Sequence, residues 1–234
     1  MAEYCISCCS TADLTKEYFD KRGIRYVCFH YELGGTDYLD DLGQTMPPAE
    51  LYRRMLAGEE VKTSQVSIGE YADFFRKMFE EGKDIDELYN WVCENKKKVQ
   101  HWFFTSDLTF FIKGGRVSKA AGFFGGMLGI CPLLNVDYEG RLIAREKVRT
   151  KKKVIQRIVQ KMEENAEGGL AYSGKCYICQ SECMDDAKAV AMLVESRFPN
   201  LNGKVEIYPI GATIGSHTGP GTVALFFWGK ERVD

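Results

Sequence analysis

One imidazole, His217, stands in a stretch crowded with small residues, Ile210-Gly211-Ala212-Thr213-Ile214-Gly215-Ser216-His217-Thr218-Gly219-Pro220-Gly221. Glycine leaves backbone amides uncovered, Pro220 stiffens the chain, and an imidazole titrates near neutral pH. The stretch therefore reads as a loop suited to an anionic group. Three further places offer matching chemistry. Thr63-Ser64-Gln65 sits just ahead of a predicted helix, whose unpaired N–H groups and dipole favour negative charge. Ser10-Thr11 lies where a first strand turns into a helix, the crevice where open α/β sheets take ligands. Lys113-Gly114-Gly115-Arg116, with Arg149 further on, adds cations and bare backbone. A carboxylate or phosphate held by hydroxyls, amides and a cation suits this set. Each element also has a plainer reading: Ser10, Thr11 and Ser67 as helix caps, Thr63-Ser64 and Gly114-Gly115 as turns, Arg116 and Arg149 as surface charges. Gly114-Gly115 fits neither the Walker nor the dinucleotide pattern.

The elements that must position these groups follow from pattern. Tyr4 to Cys9 reads as a buried strand, Ser10 and Thr11 offer N-caps for a helix running to about Arg22, and Gly23 closes it. Ile24 to Phe29 is a second strand, so a βαβ unit with a parallel sheet opens the chain. Tyr31 to Gln44, with Gly34-Gly35, reads as a loop or irregular hairpin. Pro47-Pro48 opens a helix with Leu51, Tyr52, Met55 and Leu56 on one side. Ser67-x-x-Glu70 is a capping box ahead of Ile68, Tyr71, Phe74, Phe75 and Met78. A helix from near Asp84 is expected to bury Leu88, Trp91 and Val92.

His101 to Thr105 is strand-like, and Gly122 to Leu134 is apolar and glycine-rich. Asn135 to Ile143 reads as a strand pair around Asp137-Tyr138-Glu139-Gly140, and Thr150 to Asn165 as a helix. Strand, helix, strand and strand follow at Cys176–Cys179, Asp185–Phe198, Val205–Ile210 and Val223–Trp228. The expected organisation is an N-terminal α/β domain over 1–100 and a C-terminal α/β domain with a mixed or antiparallel sheet over 101–234, the ligand lying between them.

Composition narrows the function classes. Hydrophobic residues at 45% and charged residues at 27% are ordinary for a globular protein, and a net charge of −2 argues against nucleic acid as a partner. The lysine runs 96–98 and 151–153 read as solvated helix faces. No apolar stretch approaches the ~20 residues of a membrane span, and Met1-Ala2-Glu3 lacks a basic leader region, so a cytoplasmic protein without stable membrane insertion is expected. Cys5, Cys8 and Cys9, and Cys176-x-x-Cys179 with Cys183, invite a metal reading. On a strand, however, positions three apart face opposite ways. Reduced thiols, with no metal, disulfide or cofactor, are expected.

Taken in order, Ser-Thr-Ala-Asp-Leu at 10–14, Thr-Ser-Gln at 63–65, Lys-Gly-Gly-Arg-Val-Ser at 113–118, Pro132-Leu133-Leu134, Gly140, Lys147-Val148-Arg149 and His-Thr-Gly-Pro-Gly at 217–221 resemble the DegV family of bacterial fatty-acid-binding proteins. The resemblance implies a two-domain α/β fold that buries a long acyl chain and presents its carboxylate to a separate ATP-dependent fatty acid kinase. It implies Thr63 as carboxylate ligand, with Ser10, Thr11, Ser64, Gln65, Gly115, Arg116, Arg149, His217 and Gly219 shaping or flanking the head-group mouth. The acyl chain would be lined by Phe74, Phe103, Phe123, Leu128, Ile130, Leu134 and Phe226, and by Phe75.

Two departures stand out. The family's Asp-Ser ahead of the first helix is here Cys9-Ser10, and its Ser-Gly-x-Ser-Gly-Thr loop is missing. Between Gly82-Lys83-Asp84 and Asp86-Glu87-Leu88 the chain passes straight into what resembles a much later helix. An internal deletion near 84–86 is thus expected to remove at least the ~30 residues of a βαβ unit, and with them central strands of the N-terminal sheet. The sheet is then rearranged, or a partner strand compensates, or a longer protein is represented in part. Two other readings remain open at this point: an enzyme acting alone on a small carboxylate or phosphate ester with His217 as general base, and a family member unable to hold ligand.

Overall fold

The first strand and helix fold close to expectation, with one correction to the helix start. In the computed structural model, which describes residues 7–67, 69–70, 86–117 and 130–233, β1 (Ser7–Cys9) pairs in parallel with β2 (Arg25–Val27) across α1 (Lys16–Arg22). α1 is capped by Thr15, whose hydroxyl accepts from the Tyr18 amide, and not by Ser10 or Thr11. Ser10–Ala12 form a separate 3-10 turn, ended by Asp13 in the left-handed region at φ 53°, so the α-helix cannot begin before that kink. Gly23, at φ 60°, closes α1.

The polar stretch after β2 is a regular hairpin. β3 (His30–Leu33) and β4 (Thr36–Leu39) are antiparallel, and both turn residues, Gly34 and Gly35, have positive φ, as a two-residue hairpin turn of this twist requires. α2 (Pro48–Leu56) buries Leu51, Tyr52 and Met55, but Leu56 is 66% exposed: it falls past the edge of the apolar stripe. β5 (Val61–Ser64) completes a three-stranded sheet in the order β4-β3-β5. The capping box forms as read: Ser67 Oγ accepts from the Glu70 amide at 3.2 Å, and the Glu70 carboxylate accepts from the Ser67 amide at 2.8 Å. α3 (Asp86–Asn95) follows. The expectations for Tyr4, Ile68, Tyr71, Phe74, Phe75, Met78 and the junction near 84 lie outside the described residues, as do the side chains of Leu88, Trp91 and Val92.

The second half is built on a six-stranded sheet. β6 (Val99–Thr105) leads into α4 (Thr109–Lys113), then β7 (Ile130–Val136), β8 (Leu142–Arg149), α5 (Lys151–Asn165), β9 (Cys176–Gln180), α6 (Met184–Arg197), β10 (Glu206–Pro209), α7 (Ala212–Thr218) and β11 (Thr222–Trp228). The strand order is β10-β9-β11-β6-β7-β8. One face of the sheet, carrying Trp102, Phe104, Leu133, Ile178, Val223 and Leu225, packs against Val154, Ile158 and Met162 of α5 and Ala187, Val190 and Val194 of α6. Such alternation is what a strand with helices on one face requires.

The chain divides into two compact units. The first contains Met1–Glu94 and Pro209–Ser216, the second Asn95–Tyr208 and His217–Asp234. The chain thus returns to the first unit for eight residues late in the sequence. His217 is the first residue back in the second.

Candidate functional site

His217 lies near the C-terminal end of α7, which corrects the reading of its surroundings as a loop. A run of Ala, Thr, Gly and Ser reads as loop from propensity alone. Here two carboxylates occupy its first amides, Gly211 N donating to Asp13 Oδ1 at 2.9 Å and Thr213 N to Asp40 Oδ2 at 3.0 Å, so those amides are not bare. Immediately beyond the histidine, Gly219 (φ 68°) and Gly221 (φ 85°) return the chain to β11. A side chain at Gly219 would run into the ring of Phe110, so both conformation and space demand glycine there.

Ser181, fully buried at the end of β9, fixes this turn. Its hydroxyl donates to Gly219 O at 2.7 Å and accepts from Thr222 N at 3.0 Å, while its carbonyl takes Gly221 N at 2.6 Å. The sequence reading missed Ser181; only its place just after a strand marked it.

Arg116 meets the histidine directly. Its Nη2 lies 3.1 Å from His217 Nε2, and its Nη1 donates to Gly114 O at 2.7 Å. Burial, and then the Arg116 charge, pull the imidazole down to about 4. The ring is therefore neutral at pH 7, with Nε2 accepting from the guanidinium. Gly114 is needed on the other side of the ring, since a β-carbon there would stand 2.7 Å from Nδ1. Gly115, at φ 68°, faces open space. Gly114, Gly115, Arg116, His217 and Gly219 are thus brought to one place.

A second face of the same sheet runs away from this place. Phe103 stands opposite Leu134 and Ala224 in register, and these three form an apolar cluster with Phe111 and Val117; the Phe103 and Phe111 rings stack at 6.0 Å. Leu108, Val136, Leu142, Ala144 and Phe226 are packed against it and half-buried. Ile130 opens β7 directly opposite Arg149, which is exposed at the end of β8. Since β6 is antiparallel to β7 and β11, Arg149, Thr105 and Thr222 all mark the same end of the sheet, the end from which the turn after His217 departs. Phe123 and Leu128 lie outside the described residues.

The remaining predicted residues belong to the first unit. Thr63 is half-buried in β5 beside Tyr31, on the face where Tyr31 and Leu33 are buried, whereas Ser64 and Gln65 are exposed. Ser10 is buried and its hydroxyl accepts from Phe29 N at 3.0 Å; Thr11 Oγ1 lies 2.8 Å from Cys9 Sγ. Asp13 and Asp40, buried polar groups, were not singled out from sequence. Among the described residues eight cysteines are free, no group of three or more metal-ligating side chains is arranged to hold an ion, and no helix is long and apolar enough to cross a membrane.

This fold, an α/β chain of two units with a six-stranded sheet and a histidine–arginine pair at its end, defines a class, and comparison identifies it. The family model described as "Uncharacterised protein, DegV family" matches residues 8–84 and 75–230. The chain belongs to the DegV family. A DegV domain-containing protein of Clostridium perfringens is 26% identical over an alignment of 293 residues that takes in 99% of each chain. That alignment is longer than the 234 residues present here, and the family match breaks in two at 75–84, beside the junction noted in the sequence. Against several other relatives the chain spans about half of their length.

Among solved structures, a fatty-acid-binding DegV family protein from Thermus thermophilus superposes with a TM-score of 0.82 at 20% identity, covering 97% of this chain and 99% of that one. A DegV family protein from Eubacterium eligens loaded with heptadecanoic acid gives 0.76 at 17% identity, covering 97% and 100%. At these identities the likeness speaks for the fold.

Proposed function

We propose that this protein binds a long-chain fatty acid and presents its carboxylate to a separate ATP-dependent kinase. The observation that carries the reading is the second face of the six-stranded sheet, apolar through Phe103, Leu134, Ala224 and Phe226 and ending where Arg116 holds a neutral His217. The names of its relatives agree in ligand class: a solved DegV protein carries heptadecanoic acid. An acyl chain gains about 0.8 kcal/mol per buried methylene, so a face of this kind supplies affinity while a few polar groups fix the head.

In this reading Thr63 is a carboxylate ligand, as the family resemblance implies; within the second unit Arg116 and Arg149 supply positive charge, and His217, neutral with Nε2 engaged by Arg116, contributes shape and hydrogen bonding rather than charge. An imidazole held near 4 is a weak base at neutral pH, so the same observation disfavours a hydrolase with His217 as general base. Phosphoryl transfer is left to the partner, because the chain shows no nucleotide-binding motif.

The test is equilibrium dialysis with radiolabelled palmitate, followed by incubation with a bacterial fatty acid kinase and ATP. Saturable binding at one fatty acid per chain, and acyl phosphate formed only when both proteins are present, is the expected result. Absence of binding would contradict the whole reading; binding without transfer would contradict the kinase part alone.

A further inference from the structure

His101, one of the three histidines in the chain, opens the run to Thr105 and plays no part in the head-group reading. Its place follows from strand alternation. Trp102 and Phe104 lie on the face packed by α5 and α6, so His101, Phe103 and Thr105 share the opposite face of β6. That face can be followed in steps of two residues from the end where the turn after His217 enters β11. Thr105 stands opposite Thr222, Phe103 opposite Ala224, and His101 opposite Phe226, whose partner on β9 is Tyr177. The four residues of strand from Thr105 to His101 span about 13 Å.

Phe111 and Val117 pack on Phe103, Leu134 and Ala224, and all five are buried. One step further along the sheet, His101, Phe226, Val136, Leu142 and Tyr177 are half-buried. The His101 ring meets the Phe226 ring edge-on, with centroids 5.3 Å apart and 67° between the planes, a contact that holds the imidazole in one orientation. Burial, and then the Arg232 charge, pull His101 down to about 4, so the ring is neutral at pH 7. It then carries one N–H donor and one bare nitrogen acceptor. Neither nitrogen has a hydrogen-bond partner among the described residues. Arg232 is tied to the backbone instead, its N donating to Lys97 O at 2.9 Å and its Nη2 to Lys96 O at 3.4 Å.

A donor and an acceptor set on an apolar face suit a neutral oxygen carried there by an otherwise apolar ligand. Plain hydrocarbon covering the ring leaves both nitrogens unsatisfied. We infer that His101 is a specificity-determining residue of the acyl face, selecting fatty acids that carry a hydroxyl in the distal half of the chain. The hydroxyl donates to the bare nitrogen or accepts from the N–H, while Phe226 keeps the ring turned for it. The inference rests on the fatty-acid reading and deepens it, naming the kind of acyl chain the face takes. A histidine that merely packs on Phe226 would show no dependence on an oxygen in the ligand.

The experiment measures dissociation constants of the whole chain for stearate and for 12-hydroxystearate, by competition with a fluorescent fatty acid, in wild type, His101→Phe and His101→Gln. The preference for the hydroxy acid over stearate is expected to fall by about two- to tenfold in His101→Phe, the worth of one hydrogen bond, with stearate still bound. His101→Gln, whose amide also donates and accepts, keeps part of that preference. An unchanged ratio in His101→Phe would overturn the inference and leave fatty-acid binding standing; no binding of either acid would overturn both. Should His101→Phe not fold, nitrogen-15 NMR of the wild type decides. The His101 ring signals are expected to differ between the two complexes, and identical signals in both would overturn the inference.

Discussion

Arg116 Nη2 sits 3.1 Å from His217 Nε2, a cation set against an imidazole, and that contact adds to burial in favouring the neutral ring. A protonated ring would face the guidinium charge at close range, so the neutral ring is the native one. Burial contributes more to this than Arg116 does. For a histidine with a lowered value, the stability it contributes is present above about pH 6.5 and is lost as pH falls through about 4.

Replacing Arg116 by Gln removes the smaller of the two causes. The His217 midpoint, read by proton NMR, then rises from about 4 yet stays below the 6.5 of a free imidazole, because burial remains. A midpoint unchanged in Arg116→Gln would show that the guanidinium does not act on the ring.

Gly114→Ala tests the other side of the ring. Gly114 has an ordinary helical φ of −74°, so alanine brings no backbone strain, but its methyl would lie 2.7 Å from His217 Nδ1 and 3.1 Å from Phe110 O. Overpacking of this kind costs about 1–3 kcal/mol. A lowered urea midpoint together with displaced His217 ring signals is expected; Gly115→Ala meets open space and loses only the glycine's freedom at φ 68°.

Thr150 caps α5 with φ 77° and ψ 143°, a conformation that suits glycine and strains a β-branched residue. Its cap bond from Lys153 N is long, at 3.4 Å. Glycine at an N-cap gives up only a few tenths of a kcal/mol, whereas relief of such strain returns roughly 1–3 kcal/mol. Thr150→Gly is therefore expected to raise the melting temperature, and Thr150→Ala to lower it.

Thr63→Val removes a hydroxyl and keeps the shape of a half-buried strand residue beside Tyr31. If that hydroxyl donates to a carboxylate, its loss costs roughly 1.5–3 kcal/mol, a tenfold or greater drop in palmitate affinity. Ser64→Ala, at an exposed position, is expected to leave affinity within about twofold.

How far such a site is legible in a sequence depends on how local its determinants are. The capping box at Ser67 and Glu70, the helix opened by Pro48 and the strand pair around Asp137 to Gly140 are written in neighbouring residues, and each forms as read. The start of α1 went wrong by a few residues because Thr15 competes with Ser10 and Thr11, and the left-handed Asp13 decides among them. α7 was unreadable for a deeper reason. Its first amides are satisfied by Asp13 and Asp40, some 200 and 170 residues earlier in the chain, and no local signal shows that. The Arg116–His217 contact was foreshadowed only as two candidates for the same mouth, without their pairing.

The central claim, a bound long-chain fatty acid, is tested most directly by mass spectrometry of the purified protein, native first and then after organic extraction. The account predicts one fatty acid per chain, with an acyl chain long enough to run along the sheet from the His217 end, and its loss in Thr63→Val. Protein free of lipid, and still free of it after incubation with fatty acid, would contradict the account.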